Sequence, residues 1–500
     1  MARVFGAALV GVDGVAVEVE VRISAQLPRI DIVGLPELSV RESAARVRAA
    51  IAAVGEPFPQ NRITVNLAPA ALRKGGSGLD LAIAVGILVA NGAVEAGATD
   101  ETAFVGELAL DGRLRGVRGE LAMTLAAHEA GCHAIVAPAR WSSSASLVPG
   151  LDVFTAPDLS SVLDHLRGNR RLVSRSPAPV RSTSKTPLCF SEVRGQEAAK
   201  RGLVIAAAGG HGVLLTGPPG AGKSMLARRL PGILPPLRDE TALTATRIHD
   251  AAGLLDPEGS ALVDPPFRSP HHTSSVAGLL GGGTPPVPGE ASLAHGGILF
   301  LDELPEFERR ARESLRQVLE DRCVVLARAN YTCRLPANFM LVATANPCPC
   351  GWWGSDQRAC RCEGRAIERY RQRISGPLLD RIDLHISVPG QNWSQLTQPA
   401  GGMPSPRIRS LTERARAAQL TRSGACNADL PDADLDRSLK TTAAATALLG
   451  KAVDRLHLSA RAVRRIQRVA RTIADLASAE RVDVAEIGEA VGYREEAVDD

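Results

Sequence analysis

The chain has 500 residues, of which 45% are hydrophobic and 22% charged, a balance typical of a globular protein with about three domains. No apolar run reaches the roughly 18 residues of a membrane helix, and acidic residues interrupt the first 23 positions, so we expect neither a membrane span nor an export signal. The net charge is only +4 and all but six of the 58 basic residues are arginines, so arginine content alone does not predict nucleic-acid binding. Nine cysteines without an expected export signal indicate reduced thiols or a metal site, and we expect a cytoplasmic location.

Residues 1–167 predict a mixed α/β domain. Apolar and polar residues alternate over 16–23, which predicts a strand, and the segment 29–34 is predicted to be its hairpin partner. Ser39 and Glu42 form a capping-box pattern that predicts a helix over residues 40–54. The elements predicted after them are strands at 63–67 and 133–136 and helices at 79–91 and 121–130.

The rest of the chain divides into a linker and two further regions. Residues 168–187 are rich in proline, serine and basic residues, which predicts an interdomain linker, with a basic arm as the alternative. Over residues 188–392 strands, loops and helices alternate, as in a parallel sheet covered by helices. Residues 393–500 include a second proline- and glycine-rich stretch at 398–406 and are otherwise helical, which predicts a lid domain. Its helices are predicted at 407–420, 441–456, 460–477 and 484–491.

The strongest functional signal is a phosphate-binding loop between an apolar strand at 213–216 and a helix that begins at Met225. Only glycines let the backbone fold tightly enough for several N–H groups to converge on phosphate oxygens, and the helix N-terminus adds its positive dipole end. We expect Lys223 to hold the β- and γ-phosphates of ATP and the Ser224 hydroxyl to bind Mg²⁺. The predicted nucleotide-binding residues are Gly217, Pro218, Pro219, Gly220, Ala221, Gly222, Lys223 and Ser224.

Two more predicted strands end in polar residues. The strand at 297–301 is followed by Asp302 and Glu303, and a buried strand places such terminal residues at the carboxyl edge of the sheet, where open α/β folds bind ligands. We expect Asp302 to bind Mg²⁺ and Glu303 to polarise the attacking water, with an acidic helix N-terminus as the alternative. The strand at 339–345 ends at Asn346, whose amide is expected to bond the γ-phosphate or the lytic water.

The P-loop, the Asp-Glu strand and the strand ending in Asn, in that order, resemble an AAA+ ATPase. Three longer stretches, 267–278, 288–303 and 375–385, resemble the magnesium-chelatase-like YifB/ComM family, and this resemblance extends over essentially the whole chain. It implies a homo-oligomeric ring, expected to be a hexamer, with ATP bound between subunits. It also implies an insertion within residues 246–295 that projects toward the pore.

The resemblance also assigns roles to three arginines. Arg381, within Leu-Asp-Arg-Ile-Asp, resembles the arginine finger that stabilises the transferring phosphate in the neighbouring subunit's site. Arg461 resembles the second sensor on the lid, and a plain surface charge is the alternative for both residues. Residues 320–336 resemble a hairpin that points into the pore, where Arg328 would contact a DNA backbone; an ordinary surface hairpin is the alternative.

Four cysteines lie within fifteen residues, only two positions after the predicted sensor Asn346. They are Cys348, Cys350, Cys360 and Cys362. Two close pairs of thiols separated by a polar loop can supply the four soft ligands of a tetrahedral Zn²⁺. The spacing is C-x-C rather than the better attested C-x₂-C, so free thiols remain the alternative to a structural zinc.

Residues 73–84 and 126–131 resemble the Lon-protease-like fold of the ribosomal protein S5 type. A Ser–Lys protease needs a serine nucleophile and a lysine base within hydrogen-bond reach. The resemblance places the Lon serine at Gly78, beside Ser77, and the lysine at Leu121. Because the lysine is missing, we expect this domain to build the ring or bind a partner rather than cleave proteins.

The expected fold class is therefore α/β, with a Lon-protease-like N-terminal domain, an AAA+ P-loop core with a parallel sheet, and a C-terminal helical lid. The YifB/ComM resemblance implies an ATP-dependent motor on single-stranded or branched DNA, with branch migration or helicase activity in homologous recombination and natural transformation. The rival is an ATPase that assembles a metal-chelation complex, as magnesium-chelatase subunits do. That subunit type is not expected to carry this N-terminal domain or the four-cysteine loop.

Overall fold

The computed structural model describes all residues except 71–73, 140, 142–146, 175–187, 256–260, 284, 329–330, 398–401 and 496–500. It confirms the expected α/β class, with a mixed sheet in the N-terminal region, a parallel sheet in the middle and helices at the C-terminus. Within the described residues, no helix is both long and apolar enough to cross a lipid bilayer.

The N-terminal region is built on an eight-stranded sheet with the strand order β10-β9-β8-β5-β1-β2-β4-β3. Helices α1 and α2 cover one of its faces, and valines and isoleucines from the strands fill the core between them. The strands of the region are β1 (Ala2–Val10), β2 (Asp13–Ser24), β3 (Arg29–Val33), β4 (Arg62–Ala68), β5 (Thr102–Phe104), β6 (Glu107–Leu108), β7 (Leu114–Arg115), β8 (Ala134–Pro138), β9 (Asp152–Ala156) and β10 (Val173–Ser174), of which β6 and β7 form a separate two-stranded sheet. The helices are α1 (Leu38–Ala53), α2 (Asp80–Ala90), α3 (Glu120–Glu129) and α4 (Leu159–Leu166).

Two predictions for this region were wrong. The hairpin partner of β2 is β1, joined to it by a two-residue turn, whereas β3 pairs in parallel with β4 on the far side of β2. The predicted linker also begins too early, because β10 pairs antiparallel with β9 and extends the first sheet to Ser174. The rest of the predicted linker, residues 175–187, lies outside the described residues.

The middle region is a five-stranded parallel sheet with the strand order β12-β15-β18-β11-β19. Its strands are β11 (Val213–Thr216), β12 (Phe267–Arg268), β15 (Ile298–Leu301), β18 (Met340–Ala345) and β19 (Leu384–Ser387). Its helices are α5 (Glu197–Gly209), α6 (Lys223–Ala227), α7 (Asp239–Ala251), α8 (Val276–Leu280), α9 (Glu290–Leu293), α10 (Arg309–Asp321), α11 (Gly364–Arg371), α12 (Gly376–Leu379) and α13 (Trp393–Thr397). Because all five strands run in parallel, their carboxyl ends share one edge of the sheet.

Two small hairpins are added to this sheet. One, β13 (Gly281–Gly282) with β14 (Val287–Pro288), lies between α8 and α9, inside the range predicted for an insertion. The other, β16 (Cys323–Arg328) with β17 (Tyr331–Pro336), follows α10 and precedes β18, as the sequence predicts.

The C-terminal region consists of helices, and it packs against the amino edge of the parallel sheet. His211 lies just before β11, and its Nδ1 is 2.9 Å from Oδ2 of Asp383, which lies just before β19. Its Nε2 is 2.8 Å from Oγ1 of Thr472 in the helix Ala460–Leu476. Arg494 donates to the backbone oxygen of Ile382 at 2.6 Å. The helices are α14 (Ser405–Ser423), α15 (Asp432–Leu439), α16 (Ala443–Leu456), α17 (Ala460–Leu476) and α18 (Val484–Glu495), of which α15 was not predicted.

The N-terminal region contacts the parallel-sheet region directly. Val12, in the turn between β1 and β2, is fully buried in the core formed by α10, β17 and β18. Asp13 forms an ion pair with Arg247 of α7 at 3.2 Å. At the start of α3, the amide of Leu121 donates to Asp250 Oδ2 at 2.7 Å. The turn and α3 therefore connect the first sheet to helix α7 and to the base of the second hairpin.

Candidate nucleotide-binding and zinc site

The phosphate-binding loop lies at the carboxyl end of β11, which stands between β18 and β19 in the sheet, and leads into α6. Glycine is needed at position 217 because a Cβ there would lie 2.1 Å from the Val388 oxygen. Gly222 precedes the helix with a φ of 93°, a conformation that residues with a Cβ rarely adopt. The loop is thus held in the tight turn that lets several amides point toward a phosphate.

Lys223 is buried, and its three Nζ contacts lie inside the loop and on the neighbouring strand. Nζ donates to the oxygens of Gly217 at 2.6 Å and Pro218 at 3.0 Å, and to Asn346 Oδ1 at 3.0 Å. Burial lowers the pKa of the Lys223 ammonium, and the carboxylates of Asp302 and Glu303 act against that shift. The structure therefore brings together the predicted phosphate ligand and the predicted sensor.

Asp302 and Ser224 are also in contact, although they are 78 residues apart in the sequence. Ser224 Oγ donates to both carboxylate oxygens of Asp302, at 3.0 and 2.9 Å. A hydroxyl and a carboxylate in contact are the hard oxygen ligands that Mg²⁺ prefers. The pair therefore fits a Mg²⁺ ion held beside the phosphates.

Thr344 is a residue of this site that the sequence reasoning missed. Its buried hydroxyl donates to Asp302 Oδ1 at 2.7 Å and accepts from the Glu303 amide at 2.8 Å. Glu303 itself has a φ of 55°, the left-handed conformation that costs energy for a residue with a Cβ. Thr344 thus fixes Asp302 and Glu303 at the point where the chain turns sharply. The sequence hint to this role was that Thr344 is the one polar residue of the apolar stretch 339–345.

The two arginines assigned by resemblance lie together at the opposite, amino edge of the sheet. Arg381 precedes β19, and its guanidinium contacts Glu320 Oε1 at 2.7 Å and the Pro377 oxygen at 2.6 Å. Arg461, at the start of α17, lies 3.8 Å from the same Glu320 oxygen and its side chain is 66% exposed. Neither arginine reaches the phosphate-binding loop of its own chain, so the structure groups them with each other and not with Lys223.

The four cysteines of the loop after β18 converge as a cluster. The sulfur atom of Cys348 lies 3.4 Å from that of Cys350 and 3.7 Å from that of Cys360, and the sulfurs of Cys350 and Cys360 are 3.6 Å apart. All four sulfurs, including that of Cys362, lie within 4.8 Å of one another. Zinc–sulfur bonds of about 2.3 Å in a tetrahedron require sulfurs about 3.8 Å apart, so the cluster is compatible with a Zn²⁺ ion.

The cysteine loop also contacts the phosphate-binding loop. A Cβ on Gly351 would lie 2.5 Å from Pro219 and 3.8 Å from the Asn346 side chain. A metal that fixes the cysteine loop would therefore also restrict the position of the P-loop and of Asn346.

The hairpin of β16 and β17 carries Arg328 as the last residue of its first strand. The side chain of Arg328 and residues 329–330 lie outside the described part of the chain. Its contact with DNA therefore stays a prediction.

The N-terminal region does not bring a lysine to Ser77. The Ser77 hydroxyl bonds the carboxylate of Glu107, and Leu121 is a buried residue at the start of α3. Lys74 is the one lysine in the sequence of residues 1–167, and its Nζ is bound to the backbone oxygens of Gly34, Leu67 and Pro69. The expectation that this region builds the ring or binds a partner, rather than cleaving proteins, stays a prediction.

Comparison with known families gives matches along most of the chain. Residues 189–396 match the family described as magnesium chelatase, subunit ChlI. Residues 19–140 match the family described as subunit ChlI of Mg-chelatase, and residues 402–494 match the magnesium chelatase subunit ChlI C-terminal family. The three matches thus fall in the N-terminal, parallel-sheet and helical regions.

Individual relatives cover nearly the full length. The chain is 41% identical to competence protein ComM of Haemophilus influenzae over 99% of this chain and 97% of that one. It is 40% identical to protein YifB of Escherichia coli over 97% and 96% of the two chains. It is 30% identical to Lon protease 2 of Bacillus subtilis over 34% of this chain and 31% of that one.

Proposed function

The chain belongs to the YifB/ComM family of magnesium-chelatase-like AAA+ proteins, and from this premise we propose that it is a Mg²⁺-dependent ATPase that forms a ring, of six subunits, and moves DNA. The observation that carries the ATPase part is the connected set of Lys223, Ser224, Asp302 and Asn346 at one edge of the parallel sheet. Binding and hydrolysis of ATP need these four chemical groups within reach of one triphosphate.

Each group has a separate task in the proposed reaction. When ATP binds, the Lys223 ammonium exchanges its backbone partners for phosphate oxygens. Ser224 and Asp302 would hold Mg²⁺, which supplies charge neutralisation of the phosphates. Glu303 orients and polarises the attacking water, and Asn346 bonds the γ-phosphate or that water.

Hydrolysis is proposed to need a second subunit. Arg381 and Arg461 lie at the amino edge of the sheet, whereas the phosphate-binding loop lies at the carboxyl edge. An arginine at this position stabilises charge on a transferring phosphate only if another chain presents that phosphate to it. This separation supports an ATP site shared between neighbours, in which Glu320 holds both arginines until the neighbour binds.

We further propose that Cys348, Cys350, Cys360 and Cys362 hold a structural zinc. The support is the sulfur spacing, which fits tetrahedral coordination, and the contact between Gly351 and Pro219. The metal would fix the loop that packs on the P-loop. It takes no part in the hydrolysis itself.

DNA is the proposed substrate, either single-stranded or branched, and branch migration or helicase action in recombination and natural transformation is the proposed process. The support is 41% identity over the full length to a protein named for competence. A cytoplasmic location belongs to the same proposal, because ATP and chromosomal DNA are available there. The hairpin with Arg328 is proposed as the contact in the pore.

The test is the rate of ATP turnover with no DNA, with single-stranded DNA, with duplex and with a four-way junction, at two salt concentrations. We expect stimulation that weakens at the higher salt concentration, since phosphate contacts release counterions. The matched control is Glu303→Gln, which keeps the shape of the site but removes the water-polarising carboxylate. A rate of ATP turnover that none of these DNAs changes would contradict DNA as the proposed substrate.

An alternative is an ATPase that assembles or remodels a protein complex in the manner of magnesium-chelatase subunits. It is favoured by the names of all three matching families. The same turnover assay separates the two functions, because this alternative predicts stimulation by a protein partner and none by DNA.

A further inference from the structure

A strongly basic segment begins within the cysteine loop and continues into helix α11, and the proposed ATPase chemistry assigns no task to its arginines. Residues 356–373 contain six arginines and three carboxylates, whereas the entire chain has a net charge of only +4. The segment spans the second half of the cysteine loop and helix α11. The arginines are Arg358, Arg361, Arg365, Arg369, Arg371 and Arg373.

One arginine of this segment has a carboxylate partner, and three exposed ones have none among the described residues. Arg373 pairs with Glu306 at 2.8 Å. Arg361, Arg365 and Arg369 are exposed, and no carboxylate in the described part of the chain forms an ion pair with them. Arg422 beside Asp475 shows the kind of carboxylate pairing that these three arginines lack within the described ranges.

The three unpaired arginines follow one another at intervals of four residues. Arg365 and Arg369 lie one turn apart on the same face of α11, about 6 Å along its axis. Arg361 stands four residues earlier, between the clustered cysteines Cys360 and Cys362. Like charges at this spacing repel each other, and a polyanion bound beside the row would relieve that repulsion.

Two tryptophans contact two other arginines of the same segment. The Arg371 guanidinium lies 4.0 Å from the ring centre of Trp353, and that of Arg358 lies 5.7 Å from the ring of Trp352. The side chain of Trp353 is 37% exposed. Cations together with exposed aromatic rings are the combination that binds the phosphates and bases of a single nucleic-acid strand.

We propose that this face, formed by Arg361, Arg365 and Arg369 with Trp353 at its side, binds single-stranded DNA through its phosphates. The proposal rests on the proposed DNA function and adds a second contact, separate from the hairpin that carries Arg328. Arginine suits this task because its planar guanidinium bonds two phosphate oxygens at once. Arg365 and Arg369, spaced about 6 Å along the helix axis, fit successive phosphates of one strand better than irregularly placed carboxylates on a protein.

The test is the affinity for a fluorescein-labelled thirty-nucleotide oligo(dT), measured by anisotropy at 50 and 200 mM salt. The test variant combines Arg361→Glu, Arg365→Glu and Arg369→Glu. The control variant makes the same change of charge on exposed lid residues, with Arg437→Glu, Arg455→Glu and Arg481→Glu. Zinc content and ring assembly with ATP are measured for all three proteins.

We expect the affinity of the test variant for the oligonucleotide to fall at least about tenfold at 50 mM salt. The slope of log affinity against log salt should become less steep by about 2, because each of the three single-strand phosphate contacts contributes about 0.7. The control variant should stay within about threefold of the wild type. Equal binding by the test variant and the wild type would overturn the proposal and leave the DNA function standing.

Two other results would also overturn it. Loss of zinc from the test variant would show that the arginines serve the cysteine cluster, and loss of ring assembly would show that they face the neighbouring subunit. If the wild type itself binds no DNA, both the proposed function and this inference fail. The behaviour of the wild type therefore distinguishes a failure of the DNA function from a failure of this inference alone.

Discussion

The contact between Asp250 and helix α3 gives a quantitative prediction about how the N-terminal region docks. Asp250, at the end of α7, is only 6% exposed and accepts the Leu121 amide at 2.7 Å. Burial raises the pKa of its carboxyl from 3.8 to about 6, because the amides of Leu121 and Gly119 offset only part of the lost hydration. The substitution Asp250→Asn keeps an oxygen acceptor for Leu121 and removes the titration.

Because the pKa of Asp250 is raised in the folded protein, protonation of this carboxyl stabilises the fold. The folded protein binds the proton more tightly than the unfolded chain, so this group adds stability as the pH falls through about 6 toward 3.8. At pH 5, one unit below the folded-state pKa, the gain relative to pH 8 is about 1.4 kcal/mol. The free energy of unfolding of the wild type, relative to that of the Asn variant, should therefore rise by about 1.4 kcal/mol between pH 8 and pH 5.

Urea unfolding of the two proteins at pH 5 and pH 8 measures this difference, and all titrations common to both proteins cancel. Asp239→Asn, an exposed position at the other end of α7, is the matched control and should leave the pH dependence between 5 and 8 unchanged. If the free energies of unfolding of wild type and Asp250→Asn change in parallel between pH 5 and pH 8, the raised pKa of the buried Asp250 is refuted.

The proposed site makes three further predictions. Lys223→Ala should reduce ATP turnover by at least about a hundredfold, since a buried cation on the phosphates is lost, and turnover at the wild-type rate would refute the site. Rings mixed from wild type and Arg381→Ala or Arg461→Ala should lose more activity than dilution alone, and a strictly proportional loss would exclude action on the neighbour's phosphate. Untagged protein should contain about one zinc per chain, and replacing Cys360 and Cys362 by serine should remove it; unchanged metal content would refute the cluster.

Local chemistry explains what the sequence could predict. The P-loop is a continuous motif whose backbone geometry depends on its own glycines, and the carboxylates of Asp302 and Glu303 directly follow an apolar strand. For parallel strands, this is enough to place the groups at one edge of the sheet. The close approach of the cysteines likewise follows from two short-spaced pairs on one loop.

What the sequence could not predict depends on contacts between distant segments. Thr344 is one hydroxyl in an apolar strand, and only its position beside Asp302 reveals its role. The pairing of β1 with β2 was missed because residues 2–10 contain few polar positions to mark an alternation. The common position of Arg381 and Arg461 at Glu320 depends on where the helical region packs, and no local pattern encodes that.

ATP hydrolysis is proposed to drive movement on DNA, and migration of a synthetic four-way junction measures that movement. We predict that the wild-type protein moves the junction with ATP and not without it, and that Glu303→Gln binds the same junction but leaves it in place. Junction movement by Glu303→Gln at the wild-type rate, or a wild type that hydrolyses ATP and never moves the junction, would contradict the proposal of an ATP-driven DNA motor.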